Sequence, residues 1–446
     1  MGSPAPPLVS VSRDLMPAKQ ERTLRRIVIR DPRPISPFNE PARELRILNK
    51  PLWLWQRDVL ASYTREERDV ASLAAMPADR VESIVYRDNL FFDQPFIDYF
   101  LQRARSLGKA CRVAFLPNDP AIKTHALPLQ SGIRLEKGFT GGDLLVADLW
   151  YFPHGQEPNP RPLVVETLAR EIGYYNVPKY MAPNQGDLTY QIPLRAFLSI
   201  EHWVHLFIAN VPFGVFAEGA RAEKKIEHTL PKLHVLLSAM LQRKKAISSP
   251  ALVKIGKDVR IDPTAVIHGP TTIGNNVFVG PGAVIDNCII GSNVSVAQGC
   301  QLMLSIVGDG SFLPFRASLF MTALGENSMV AQNTCLQMCV VGRDTFVGAG
   351  STFTDFNLVP RPIKVFHRDQ LVELNLPVIG GCVGHNCRLG AGLIFFPART
   401  VESDVLLVGS RAEKVISHNI TYADSDHHKM PRGPELHPPQ YPHPGK

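Results

Sequence analysis

The stretch VKIGKDVRIDPTAVIHGPTTIGNNVFVGPGAVID, residues 253–286, carries an aliphatic side chain at every sixth position. Ile255, Ile261, Ile267, Ile273, Val279 and Ile285 follow one another without a miss. An α-helix repeats every 3.6 residues or so and a strand every two, so neither produces a period of six. A triangular prism of short parallel strands does, with one inward aliphatic on each side and three hexads, about 18 residues, to a turn. Later turns begin at Ile290, Val307, Leu324 and Val341, each about one residue short of that length.

Working outward, the repeat sorts into three columns. The first runs Ile255, Ile273, Ile290, Val307, Leu324, Val341. The second runs Ile261, Val279, Val296, Leu313, Val330, Val347, and the third Ile267, Ile285, Leu302, Leu319, Leu336, Phe353. One turn cannot cover its own aliphatics, so stability has to come from stacking neighbours. Small residues four places after each aliphatic, such as Ala283, Cys300, Ser328 and Thr345, let the walls close. Glycine follows each first-column residue, from Gly256 to Gly342, and is expected at a tight corner with positive φ. The pattern stops after Thr354 and resumes at Val383, Leu389, Phe395, Val401 and Leu407. Residues 249–420 therefore read as a hexapeptide-repeat solenoid, a parallel β-helix, with a loop inserted at 355–377. Long loops on compact scaffolds are often functional.

The rest of the chain has no such period. Its 446 residues allow two or three domains, and 45% hydrophobic content supports true cores. Ile27–Arg30, Arg112–Leu116, Gly142–Trp150 and Pro162–Val165 read as strands; Leu52–Tyr63 and Ile97–Ser106 read as helices. This alternation predicts an α/β domain over 25–218. Residues 219–248, with Leu233–Leu241 following Pro231, read as a connecting helix. The Pro- and Ser-rich segment 1–24 and the Pro-, His- and Gly-containing segment 421–446 read as disordered tails.

Composition narrows the function. The net charge of +7 is lopsided: six Lys/Arg and two acids lie in residues 1–30, leaving no nucleic-acid footprint elsewhere. The longest apolar stretch, Trp203–Ala217, contains His205 and Asn210 and is too short to span a bilayer. Seven cysteines without a CxxC spacing read as reduced packing thiols. With no leader-like opening, these features predict a cytoplasmic protein. No coil places histidines one rung apart on one face, so no zinc site is expected.

Pro41–Leu52, PARELRILNKPL, resembles the phrase by which sugar-phosphate nucleotidyltransferases enter a helix, with Asn49-Lys50-Pro51 in place of GKP. Gly348–Asn357, GAGSTFTDFN, resembles the acetyltransferase half of the bifunctional N-acetylglucosamine-1-phosphate uridyltransferase/acetyltransferase. That resemblance implies a left-handed coil, a homotrimer, an acyl donor such as acetyl-CoA or another acyl-CoA, and a nucleotide-sugar or sugar-phosphate ligand. It implies Mg2+ if the N-terminal domain is active, with Asp148 in the position of the metal aspartate. It also exposes departures. Where the family has a glycine-rich phosphate loop, this chain has Asp31-Pro32-Arg33-Pro34-Ile35-Ser36-Pro37, and proline offers no N–H. The family's catalytic histidine falls at Gln332, which has no base in the useful range.

The expectation is therefore a transferase of the sugar-nucleotide type, moving an acyl group at the β-helix beside a degenerate nucleotidyltransferase-like domain. His367 and His385 are the replacement bases. Arg33, Arg43, Arg46 and Lys50 in the first domain, with Asn357, Arg361, Lys364 and Arg368 on the inserted loop, are the substrate-binding residues. The alternatives are a sugar-1-phosphate nucleotidyltransferase and a non-catalytic sugar-nucleotide-binding or assembly protein.

Overall fold

The structure, a computed structural model, describes residues 24–137, 141–176, 187–219, 221, 252–359, 361–409 and 414–443. The expected connecting helix, Gly219 and Arg221 apart, and the N-terminal tail up to Thr23 lie outside these residues.

The C-terminal part is a three-sided left-handed parallel β-helix of eight coils. Each side is an eight-stranded parallel sheet whose neighbours come from successive coils. The registers follow the sequence columns: Ile255 pairs Ile273, Ile273 pairs Ile290, and the row continues through Val341, Val383 and Val401. Val279, Val296, Leu313, Val330 and Val347 are fully buried in the second column. At the open first coil Ile255 is 53% exposed, because no coil lies above it.

The glycine ladder has a different cause from the one expected. Gly256, Gly274, Gly291, Gly308, Gly325 and Gly342 do not have positive φ. A Cβ on Gly308 would stand 2.4 Å from the Glu326 backbone nitrogen, and one on Gly342 would stand 2.5 Å from the Gly384 carbonyl oxygen. These positions exclude a side chain because the next coil's backbone already occupies that space. The left-handed corners fall instead on Asn276, Asn293, Asn327, Asp344 and Asn386, whose short polar side chains tolerate that region.

The N-terminal part is a mixed sheet with strand order Thr64–Val70, Leu24–Ile29, Ser83–Arg87, Asp143–Phe152, Cys111–Phe115, Arg161–Val164. Leu24–Ile29 is parallel to both neighbours, and Asp143–Phe152 is antiparallel to its two neighbours in this order and to a seventh strand, Arg134–Lys137, at the exposed edge. Helix Gln94–Leu107 starts where the Asp93 side chain accepts from the Phe96 N–H at 2.9 Å and stops at Gly108, whose φ is +61°. It buries Phe96, Ile97, Phe100, Leu101 and Ala104 along one stripe. Helix Trp203–Asn210 is buried on every side.

The two parts share a core. Ile306, Ala323, Val340 and Cys382 point outward from the first face of the coil and are buried in the cluster formed by the N-terminal domain. Arg46 reaches Glu326 at 2.6 Å, and Arg343 reaches Glu40 at 2.6 Å, across the same seam. The inserted segment is a hairpin, Lys364–His367 with Gln370–Glu373. Val365 within it and Ile363, Leu376 and Ile379 beside it join that core, which holds the hairpin against the first domain.

The expected C-terminal tail is a correction. Residues 421–443 fold back on the last coils through short helical turns, Tyr422–Asp424, Asp426–Lys429 and Gly433–Leu436. Tyr422 stacks on His443 with ring centroids 3.8 Å apart. His443 in turn bonds Glu402 at 3.1 Å and Asp404 at 3.0 Å. Aromatic and histidine–carboxylate contacts, not an apolar period, hold this segment down.

Candidate functional site

A cavity of about 830 Å³ opens where four pieces of chain meet. They are the loop after the first strand, the segment before helix Trp203–Asn210, the inserted hairpin, and the C-terminal fold-back. The cavity lies at the carboxyl ends of the parallel strands, where open α/β sheets bind their ligands.

Glu201 organises it. Its carboxylate is 5% exposed and accepts from the Ser131 N–H at 3.0 Å, the Gly132 N–H at 2.8 Å, and the Ser131 and Ser199 hydroxyls at 2.7 and 3.0 Å. Burial alone would push this acid up, but those donors outweigh it and hold the group below the usual carboxylate range. Glu201 Oε2 then stands 3.6 Å from Arg33 Nη1 and 3.5 Å from Arg368 Nη2. One buried anion thereby aligns a guanidinium from the first domain and one from the β-helix insertion. Both arginine side chains remain more than half exposed to the cavity side, at 54% and 58%. Nothing in the sequence around Glu201 marks it; its role depends on contacts from residues 33, 131 and 368.

His367 stands next to Arg368 and faces His202, with ring centroids 5.6 Å apart. Burial and the Arg368 charge lower its pKa, against the opposing pull of Glu201, so the imidazole is neutral near pH 7. His202 contributes shape rather than acid–base chemistry. Its Nδ1 accepts from the Val204 N–H at 3.2 Å, Nε2 meets the Phe366 carbonyl at 3.2 Å, and burial depresses it to about 3.

The other sequence candidates are dispersed. His385 is 4% exposed, its Nδ1 accepts from the Arg343 N–H at 3.0 Å, and its Nε2 bonds Glu40 at 3.1 Å. Both ring nitrogens are engaged in the seam between domains, so it cannot act as a base on substrate. Arg46 belongs to the same seam, paired with Glu326. Lys50 forms a surface pair with Asp58 at 2.6 Å. Arg43 lies between Glu44 and Asp88, at 3.3 and 3.8 Å. Asn357 closes its own loop by donating to the Arg361 carbonyl at 3.0 Å, and Lys364 sits beside Glu373 at 3.4 Å. Of the ten residues, the cavity collects Arg33, His367 and Arg368.

Asp148, the metal aspartate of the nucleotidyltransferase resemblance, does not fit Mg2+. Its Oδ1 accepts from Arg112 at 2.7 Å and Arg134 at 2.9 Å, and its Oδ2 accepts from Arg87 at 2.9 Å. A divalent cation there would need to displace three guanidinium groups and sit among their charges. Among the described residues no group of three or more His, Cys, Asp or Glu is arranged to hold a metal ion. Nor is any helix among them long and apolar enough to cross a membrane.

Comparison with known proteins matches the coil. Residues 250–347 fit the family described as GMPPB C-terminal domain. Over 70 residues the chain is 34% identical to the bifunctional protein GlmU of Buchnera aphidicola subsp. Baizongia pistaciae (strain Bp). That match covers 16% of this chain, and the chain spans 16% of that relative. Among solved structures, the acetyltransferase domain of PglB from Neisseria gonorrhoeae FA1090, in complex with acetyl coenzyme A, is 22% identical with a TM-score of 0.16. It covers 26% of this chain and 60% of that one. UDP-N-acetylglucosamine acyltransferase from Campylobacter jejuni is 18% identical with a TM-score of 0.21, over 36% and 68% of the two chains. The chain resembles proteins that join a nucleotidyltransferase-like domain to a hexapeptide-repeat β-helix.

Proposed function

We propose that the protein is a transferase of the sugar-nucleotide type, moving an acyl group onto a sugar-nucleotide or sugar-phosphate acceptor in the cavity between its two parts. The observation that carries this reading is the convergence of Arg33, Glu201, His367 and Arg368 on one cavity from separate regions of the chain. The two arginines supply fixed, solvent-facing positive charge for the acceptor's phosphate or for the diphosphate of an acyl-CoA donor. His367 is the neutral base within that field. It takes the proton from the attacking hydroxyl or amino group as that group forms its bond to the thioester carbonyl. The thiolate of the donor leaves and is protonated by solvent or by the imidazolium. General base catalysis of this kind contributes about 10²–10⁴-fold.

Acetyl-CoA or another acyl-CoA is the donor in this reading, and the setting is a cytoplasmic homotrimer. Phe278, Phe312 and Phe346, partly exposed on alternate coils of the second face with Ser295 and Met329 between them, offer apolar surface that supports self-association. The test is thiol release from a panel of acyl-CoA donors, each paired with nucleotide sugars and sugar phosphates. Release that requires both partners supports the proposal. Tight binding of a nucleotide sugar with no thiol release from any pair would replace it with the non-catalytic reading.

A further inference from the structure

We infer that a second pocket, next to the transfer cavity, holds the diphosphate of a nucleotide ligand without a divalent metal. The pocket, about 260 Å³, is lined by Arg33, Arg87, Ser131, Gly132, Arg134 and Asp148. Arg33 lines both cavities, so the two adjoin at its side chain.

Charge is layered around this pocket. The carboxylates lie at the back: the side chains of Asp148, Asp31 and Glu201 are 4%, 6% and 5% exposed. The guanidinium groups lie in front: Arg33 is 54%, Arg134 50% and Arg87 32% exposed. Each arginine is anchored from behind. Asp31 accepts from Arg33 Nε at 2.9 Å and from Nη2 at 2.5 Å. Asp148 accepts from Arg87, Arg112 and Arg134, and Arg112 is further fixed against the Trp150 ring at 5.2 Å. A ligand entering the pocket therefore meets oriented cations whose counter-charges are already sequestered. Planar guanidinium groups match phosphoryl oxygens in two-point geometry, and little ordering entropy is left to lose.

This arrangement also accounts for the proline-rich loop. A glycine-rich loop would offer backbone N–H groups to the phosphates, and Pro32, Pro34 and Pro37 cannot. Side-chain donors on neighbouring strands take over that task, and the same guanidinium groups occupy the carboxylate a magnesium ion would need. Loss of the loop and loss of the metal are then one exchange. The inference extends the proposed transferase by saying how its ligand's charge is held, and it stands even if no acyl group is transferred.

Isothermal titration of the full chain with uridine diphosphate and guanosine diphosphate, in EDTA and again in excess magnesium chloride, tests it. Inorganic phosphate is the low-charge comparison. The expected result is diphosphate binding in EDTA at least as strong as in magnesium, which masks the ligand's charge, and weaker binding of phosphate. Arg134→Gln, on an exposed edge strand, should weaken diphosphate binding at least tenfold, about 1.4 kcal/mol. Should that variant melt early, Arg87→Gln gives the same reading, because Arg87 lines this pocket and not the transfer cavity. His367→Gln should leave diphosphate affinity unchanged while stopping thiol release, which separates this inference from the transferase proposal. Binding that needs magnesium, binding insensitive to both arginine changes, or no heat with any diphosphate would each overturn it.

Discussion

In the coil, Val279, Val296 and Leu313 stack on their own equivalents one turn away. In the N-terminal domain, Phe96, Phe115 and Phe197 come from a helix and two separate strands to meet with ring centroids 5.0–6.1 Å apart. Both regions reach full burial, but the first repeats one contact from coil to coil, seven times along each face, and the second makes each contact once. A repeated contact tolerates no charge and leaves little room for variety in chemistry. The aperiodic half and the insertion interrupting the coil are where Glu201, the solvent-facing but ion-paired guanidinium groups of Arg33 and Arg368, and His367 gather.

Several perturbations would break or sharpen that contrast. The largest effect is expected from Val330→Asp. Val330 is fully buried between Leu313 and Val347, so the variant buries an unpaired carboxylate at a cost of several kcal/mol, about the whole stability of many domains. Soluble yield and the melting temperature should both collapse; a variant melting within a few degrees of the parent would break the column assignment.

Acid should act on the other half. His125, His202 and His205 are buried, and burial lowers their pKa values from 6.5 to about 4, 3 and 4. A histidine depressed in the folded state stabilises above its unfolded value, and that stability is lost as pH falls from 6.5 toward 4. Asp88 and Asp93 oppose this. Burial raises both to about 6, so the folded state gains relative stability as pH falls from 6 toward 3.8. The net is a loss of a few kcal/mol, about 1.4 per pH unit for each uncompensated histidine. All four tryptophans, at 53, 55, 150 and 203, lie in this half, so their fluorescence reports on it alone. The expected outcome is a tryptophan transition on acidification that precedes loss of the coil's circular dichroism. Simultaneous loss would show one cooperative unit instead of two.

The glycine ladder gives a smaller effect. Gly308→Ala places a Cβ 2.4 Å from the next coil's backbone and should cost about 1–3 kcal/mol through overpacking. Gly282 has a φ of +64° with nothing near, so Gly282→Ala should cost only the left-handed strain, about 1 kcal/mol. Thermal melts showing the reverse order would restore the corner explanation. Smallest of all is the seam. Arg46 is 34% exposed, so a double-mutant cycle with Glu326 should return about 1 kcal/mol or less.

The coil was legible because each of its positions is written several times over, and Val383 and Val401 rejoin the column after the insertion. The cause of its glycines was not, since a sequence shows that a side chain is missing but not which backbone lies there. The strands and helices of the first domain were legible as single apolar runs. Its pairing with the coil was not, because Ile306 and Val340 look like any outward-facing aliphatics. In the site, Arg33, His367 and Arg368 could be picked out by residue type. Glu201 and the fold-back around Tyr422 and His443 could not, because their partners lie far away in sequence.

In the proposed transfer His367 works within the cavity that Arg33, Glu201 and Arg368 build, and one comparison of rates tests that role most directly. With an acyl-CoA and acceptor pair that supports turnover, thiol release should fall at least about hundredfold in His367→Gln. It should stay within about twofold of the parent in Lys50→Gln, whose surface pair with Asp58 lies outside the cavity. Full activity in His367→Gln together with loss in Lys50→Gln would contradict the account and move the chemistry to the entrance of the first helix.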